Sequence, residues 1–561
     1  MTENNLIGKV QSVDTGNVTL IVSEESILDS VQVNQIVWIR STHTNERIVG
    51  LVAKILRRAI SDKVEKDSEP DVIIENVLKI TLMGTWKFKE GTSGSRFKRT
   101  LNTVPSIGAD AFLLKDDDLT EFMSVVSSNA KNPLHIGQYI VSQESEANLD
   151  GNKFFQRHAI IVGGTGSGKS WTVASLLEQA SKLKSVNGIV FDLHGEYSPL
   201  AQLDNVMHIR IAGPSDVAEN GDAIFLPYWL LSYEEMEALL LDRSDQNAPN
   251  QARILFDNIL RFKKECLVEN SLSDVYPDVT VESPLPYDIG KLLNDLEEKD
   301  KELQEGARPG TTKQGPLYGK LTRFIQRLRS KLSDKRLNFL FNNGSVLLTH
   351  QWFESLAKKL IGFGQGEGLK IIDFSEVPSD ILPLITGLVA RIVFNLQQWM
   401  PLEKLHPLAV FCDEAHLYIT NGGSDNIDIR GTKNFERISK EGRKYGLALV
   451  VISQRPSDVN KTVLSQCGNF IAMRLTNPDD QNVIRRLFPD NLGDFAESLP
   501  ILDIGEAIVV GDACLLPSRV KICAPTVKPK GETFAFWDRW SQDNVPDGIA
   551  EAVHAYRRQQ K

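Results

Sequence analysis

Residues 163–170 read Gly-Gly-Thr-Gly-Ser-Gly-Lys-Ser, a G-x-x-x-x-G-K-S string whose residue types suit the gripping of a triphosphate. Glycines let backbone N–H groups close around phosphate oxygens, Lys169 reaches the β and γ oxygens, and the Ser170 hydroxyl is placed for Mg2+. The apolar run Ile160-Ile161-Val162 before the string reads as a strand and residues 171–177 after it as a helix. That context separates a phosphate loop from an ordinary glycine-rich turn. Gly163, Gly164, Thr165, Gly166, Ser167, Gly168, Lys169 and Ser170 are therefore the candidate nucleotide-binding residues, with a nucleoside triphosphate and Mg2+ as the expected ligands.

A second apolar run, Leu408-Ala409-Val410-Phe411-Cys412, ends in Asp413 and Glu414. This is the Walker B arrangement, which puts Asp413 on the Mg2+ shell and gives Glu414 the task of polarising the attacking water. The string Asp-Glu-Ala-His at 413–416 does not by itself imply a two-lobed helicase, since one phosphate loop is present. A further apolar strand closes at Ile452-Ser453-Gln454-Arg455-Pro456, where Gln454 is placed to sense the γ-phosphate, unless Ser453 and Pro456 merely hold a strand-terminal turn. Asp192-Leu193-His194-Gly195-Glu196-Tyr197 caps the strand next to the phosphate loop, where its carboxylates are expected to touch metal or water, or His194 only to satisfy core hydrogen bonds. For His194 the expectation is a structural role, satisfying core hydrogen bonds.

The elements that must position these groups follow from the hydrophobic pattern. Runs at 160–162, 188–192, 369–373, 408–413 and 447–452 are continuous apolar strands of the kind buried in a parallel sheet. In such a sheet functional groups gather at strand carboxyl ends, so Asp192, Asp373, Asp413 and Ser453 are expected along one edge. Short β-rich runs from Leu6 to Arg58, with more strands at 72–83, predict a small N-terminal β-barrel, and the basic stretch 87–99 reads as a solvated hairpin tip. The charged segment 232–358 predicts a helical-bundle insertion, and 381–399 predicts a buried helix despite Arg391. Residues 525–561 read as an arm plus a short helix, whose aromatics Phe534, Phe536, Trp537 and Trp540 anchor it to a neighbour or to its own body.

At 561 residues the chain is too long for one core. It is 41% hydrophobic and 24% charged, without a membrane-length apolar run or a secretory start, so a cytoplasmic location is expected. Five scattered cysteines form no C-x-x-C pair, which argues against a disulfide framework or a zinc site. A net charge of −10 leaves DNA binding undecided, because a ring can be acidic outside and basic in its channel.

Taken in order behind a β-barrel, G-G-T-G-S-G-K-S, F-D-L-H-G-E-Y, F-C-D-E-A-H, E-G-R-K-Y-G and I-S-Q-R-P resemble the HerA family of the HerA/FtsK superfamily. The resemblance implies an α/β fold: a RecA-like P-loop core with an N-terminal β-barrel and a helical-bundle insertion. The boundaries expected on that basis are 1–135 for barrel and linker, 136–231 and 359–524 for the two parts of the core, 232–358 for the insertion and 525–561 for the arm. It also implies a homo-hexamer that uses ATP to move double-stranded DNA through its channel, and a catalytic set of Glu414, Gln454 and two arginines. Arg157 resembles the residue a neighbour receives in trans, and Arg443 the second finger, in cis or trans. Family members act with a separate effector, a NurA-like or other nuclease or a Sir2-like NADase, in end processing or anti-phage defence. Candidate channel residues, Arg430 and Lys433 in the loop after Glu414, are weakly marked. An ATP-gated ring scaffold that switches a partner enzyme without sustained translocation is the alternative reading.

Overall fold

A computed structural model describes the chain except residues 1–4, 62–71, 89–93, 102, 128–129, 217–222, 309, 342–348, 365, 423–425, 490–491, 532–534, 543–546 and 559–561. It divides into two compact units, Met1–Ala180 with Ala448–Lys528, and Ser181–Leu447 with Pro529–Lys561.

The first unit opens with a barrel. Its strands run in the order Asn17–Ile21, Leu6–Val13, Asp110–Leu113, Ile36–Arg40, Glu46–Ser61 and Val72–Phe88. The ring closes because Asn17–Ile21 also pairs with Val72–Phe88, Leu20 lying opposite Leu78. Alternation drives the closure: Val18, Leu20, Leu78 and Ile80 are buried at 0% exposure and fill the interior. Of the basic stretch 87–99, Ser95–Lys98 is a strand paired with the end of Val72–Phe88, and 89–93 lie outside the described residues.

The same unit carries the strand before the phosphate loop, Ala159–Val162, parallel to Leu447–Ser453 on one side and Asn469–Met473 on the other. All four of its residues are buried, which accounts for an unbroken apolar run rather than an alternating one. Beyond Asn469–Met473 the sheet turns antiparallel through Glu506–Gly511, Ser518–Ile522, Leu134–Tyr139 and Ser142–Leu149.

The second unit holds five parallel strands in the order Ala223–Ile224, Val206–Ile211, Leu369–Asp373, Gly188–Asp192 and Leu408–Cys412. Helix Leu382–Trp399 is buried along most of its length. Its one charge, Arg391, forms a forked pair with Glu235, Nε to Oε1 at 2.9 Å and NH2 to Oε2 at 2.7 Å. Glu235 is also the third residue of a capping box with Ser232 that starts helix Tyr233–Leu240. One carboxylate thus begins the helical segment and ties it to the buried helix. That segment continues through Ala248–Glu269, Ile289–Asp300, Thr322–Ser333, Asn338–Phe341 and His350–Ile361. It also contains a two-stranded hairpin, Leu303–Glu305 with Thr312–Gln314, which the helical reading did not anticipate. Its strands have three residues each and are mostly exposed, too short for any periodicity to register.

Helices Leu382–Trp399 and Asn426–Glu441 meet at Gly387 and Gly431, where a Cβ on Gly387 would come within 2.6 Å of Gly431 Cα. Only glycine permits backbones to approach so closely. In the C-terminal segment, Phe536–Trp540 and Ile549–Arg558 are helical, with Phe536, Trp537 and Trp540 exposed. Phe534 lies outside the described residues. No helix among the described residues is long and apolar enough to cross a membrane.

Candidate nucleotide site

Within the first unit, strand Ala159–Val162 delivers the chain into the loop, and helix Lys169–Ser181 leaves it. The loop is pinned on three sides. Gly164 N–H donates to Arg474 O (2.8 Å), Gly163 N–H to Ser453 O (3.4 Å), and Gly505 N–H to Ser167 O (2.9 Å). Two glycines are sterically required here. Gly168 has φ of +102°, and a Cβ on Gly163 would run into the Ser167 side chain and lie 2.9 Å from Met473 Cβ. Lys169, the first residue of the helix, is 5% exposed. The Ser167 hydroxyl is buried with no hydrogen-bond partner among the described residues. A buried donor left unmatched in a loop at a helix N-terminus is suited to a phosphate oxygen. The sensor candidate also belongs here: Thr165 Oγ1 donates to Gln454 Oε1 at 2.8 Å, so the structure brings Gln454 to the phosphate loop. Ser453 pairs in register with Val162.

Arg157 stands at the other end of the same strand. It caps helix Gly151–Gln156, and its side chain, 51% exposed, places Nε 3.4 Å from Asp512 Oδ2. Four residues of strand, about 13 Å, separate that end from the phosphate loop.

Within the second unit, Asp192, Asp373 and Asp413 share the carboxyl edge of three adjacent parallel strands, with Asp192 opposite Asp373 in register. Their roles differ. Asp192 is fully buried and accepts three backbone N–H groups, from His194 (3.3 Å), Glu196 (3.0 Å) and Tyr197 (2.9 Å). Burial pushes its carboxyl above the usual range, partly offset by those N–H groups. Asp192 therefore organises the turn after its strand. His194 is exposed rather than part of the core as expected, because the carboxylate already satisfies the turn. Asp373 accepts from Ser375 N–H (2.8 Å) and lies 3.7 Å from His208 Nε2. Burial raises its pKa, and the nearby His208 imidazole together with Ser375 outweighs that and holds it below the ordinary value.

Asp413 and Glu414 are 1% and 4% exposed. Glu414 sits in the left-handed region, φ +44° and ψ +42°, at the start of the turn Ala415–Leu417. For a residue with a Cβ this costs about 1–2 kcal/mol, and it turns the side chain off the direction an extended strand would give. Its Oε2 lies 3.3 Å from His416 Nδ1. Tyr197, to which the sequence assigned no role, is fully buried, and its hydroxyl lacks a hydrogen-bond partner among the described residues. Burial first, then the charges of Asp413, Glu196, Asp192 and Glu414, push its phenol far above the ordinary value. Its signal in the sequence was its position directly after D-L-H-G-E.

Arg443 is exposed in the turn Gly442–Tyr445, and Gly446 O accepts from Leu408 N–H (2.9 Å). It therefore lies at the amino end of strand Leu408–Cys412, away from Asp413 and Glu414. Arg430 and Lys433 are not in a loop but on helix Asn426–Glu441. Arg430 pairs with Glu234, and Lys433 is exposed.

Two family models match this chain: "Helicase HerA, central domain" over residues 134–393 and "Helicase HerA-like C-terminal" over 395–528, together well over half of it. A probable helicase of Methanocaldococcus jannaschii is 25% identical over 552 residues, covering 92% of this chain and 95% of that one. The DNA double-strand break repair helicase HerA of Saccharolobus solfataricus is 26% identical over 424 residues, 74% of this chain and 73% of that one. Among solved structures, VirB4 of Thermoanaerobacter pseudethanolicus is similar over 71% of this chain and 98% of that one, with a TM-score of 0.47 and 15% identity. The fold is α/β, a RecA-like P-loop core with an N-terminal β-barrel and a helical insertion, and the chain belongs to the HerA family of helicase-type P-loop ATPases.

Proposed function

We propose that this chain is an Mg2+-dependent ATPase that assembles as a homo-hexamer, moves double-stranded DNA, and powers or activates a separate effector, a nuclease or a Sir2-like NADase. The phosphate loop carries the reading. Two of its glycines, Gly163 and Gly168, are sterically required, Lys169 is placed at the helix start, and the buried Ser167 hydroxyl is unmatched among the described residues. Ser170 and Asp413, a hydroxyl and a buried carboxylate, are the hard oxygen donors that would hold Mg2+. Bound there, the ion would neutralise charge developing on the β and γ oxygens. Glu414 takes the proton of the attacking water, held in position by its left-handed backbone and by His416. Gln454, tied to Thr165, senses the γ-phosphate.

The arginines suit trans action. Arg157 and Arg443 each stand at the amino end of a strand whose carboxyl end bears a nucleotide motif of the same chain. A half-exposed guanidinium so placed is better suited to a neighbour's γ-phosphate than to its own. The relatives named as DNA double-strand break repair helicases support duplex DNA as the substrate. ATP hydrolysis by the purified protein, measured with and without linear duplex DNA alongside its solution mass, tests the whole reading. DNA-stimulated turnover by a six-subunit particle is expected. Hydrolysis indifferent to DNA at low salt would overturn the motor and favour the scaffold.

A further inference from the structure

We infer that Trp171 is the stacking platform for the nucleobase of the bound nucleotide. The inference rests on the phosphate loop holding a nucleoside triphosphate. Trp171 is the third residue of helix Lys169–Ser181, about 3 Å along the axis from the lysine that grips the phosphates. It is a large aromatic side chain left 41% exposed immediately beside that cradle. A second exposed apolar side chain flanks the loop from another element: Ile504 is 57% exposed, and the N–H of the next residue, Gly505, donates to Ser167 O at 2.9 Å. The carbonyl of Ile504 is in turn held by Lys521 Nζ at 2.7 Å, which fixes the loop that presents it. A phosphate cradle rimmed by apolar surface suits a ligand with a charged end and a flat apolar end.

The ring is also held in place. Trp171, Ser175 and Glu178 recur at i, i+4 and i+7 and so share one helix face. The segment 523–528 runs along that face. Cys523 Sγ lies 3.0 Å from Ser175 Oγ, Thr526 N–H donates to the buried Glu178 Oε2 at 2.7 Å, and Lys528 Nζ lies 5.7 Å from the Trp171 ring centroid. A cation at that distance steadies an indole ring through its quadrupole. The exposed Lys528 also brings positive charge to the rim of the site. Stacking reads the face of a base and not its hydrogen-bonding edge, so the platform does not distinguish ATP from GTP.

Binding of ATP, GTP and inorganic tripolyphosphate, each with Mg2+, to wild-type protein and to Trp171→Ala, Trp171→Phe and Lys169→Ala separates the possibilities. Trp171→Ala is expected to weaken ATP and GTP binding about tenfold, the usual scale for loss of one base–aromatic stack, and to leave tripolyphosphate unchanged. Trp171→Phe should recover most of the loss, whereas Lys169→Ala should weaken all three ligands. Unchanged ATP binding by Trp171→Ala would overturn the inference. So would equal weakening of ATP and tripolyphosphate, which would assign Trp171 to the phosphate cradle or the fold. Failure of the wild-type protein to bind any of the three would remove the nucleotide reading itself, and the inference with it.

Discussion

Two carboxylates that both end apolar strand runs, Asp192 and Glu414, sit in different surroundings. Asp192 spends both oxygens on backbone N–H groups, so Asp192→Ala should cost about 3 kcal/mol of stability by stranding those donors. Chemical denaturation reads this, and activity should fall only as far as the fold does. Glu414→Gln should leave ATP binding intact and cut turnover at least about 100-fold, as removal of a general base does. Nucleotide binding and single-turnover hydrolysis, measured together, check it. The sequence singles out Glu414 as the catalytic candidate because an apolar strand runs straight into an adjacent acid pair. It offered Asp192 to metal or water, since the hydrogen bonds that place it in the turn run to the backbone of residues two to five positions later, which any side chains would supply. The position of Tyr197 after D-L-H-G-E was visible but its surroundings were not, because what singles it out is a buried hydroxyl with no partner among the described residues, a property of packing.

At the scale of elements, strands read more clearly than the joints between helices. Parallel strands buried on both faces leave continuous apolar runs, which is why 188–192, 369–373 and 408–412 were legible before any fold was in view. The Glu235–Arg391 pair was not legible, because its partners are 156 residues apart and each alone looks like a surface charge. Glu235 is 4% and Arg391 17% exposed at the side chain, so Arg391→Ala should cost about 3–5 kcal/mol by stranding a buried carboxylate. Paired replacement by apolar residues of similar volume should cost much less, and a double-mutant cycle in urea separates the two outcomes.

For the whole molecule, net acidity is compatible with the proposed DNA transport only if the DNA contacts are local and made to phosphates. With ten more acids than bases overall, DNA-stimulated hydrolysis should fall steeply between about 50 and 200 mM salt while basal hydrolysis changes little. A salt titration of both rates tests this. Stability should respond to alkali through two buried lysines. Lys263 donates to Val281 O and Ser283 O, Lys370 donates to Asn187 Oδ1, and burial lowers both to a pKa of about 8. Between pH 8 and roughly 10.5 the unfolded chain keeps protons that the folded chain has shed, so these two groups make the fold more stable as pH rises. Unfolding free energies of wild type and a Lys263→Met/Lys370→Met variant should therefore diverge upward for the wild type across that window. The Gly387–Gly431 contact bears on how the proposed motor would transmit force. With backbone against backbone, neither helix can slide past the other without collision. Thr420 N–H donates to Thr432 Oγ1 at 3.2 Å, tying the segment after the Asp413–Glu414 turn to the same helix, so in the proposed motor a shift of that turn would move Arg430 and Lys433 with the helix as one rigid lever pivoting at the glycine contact.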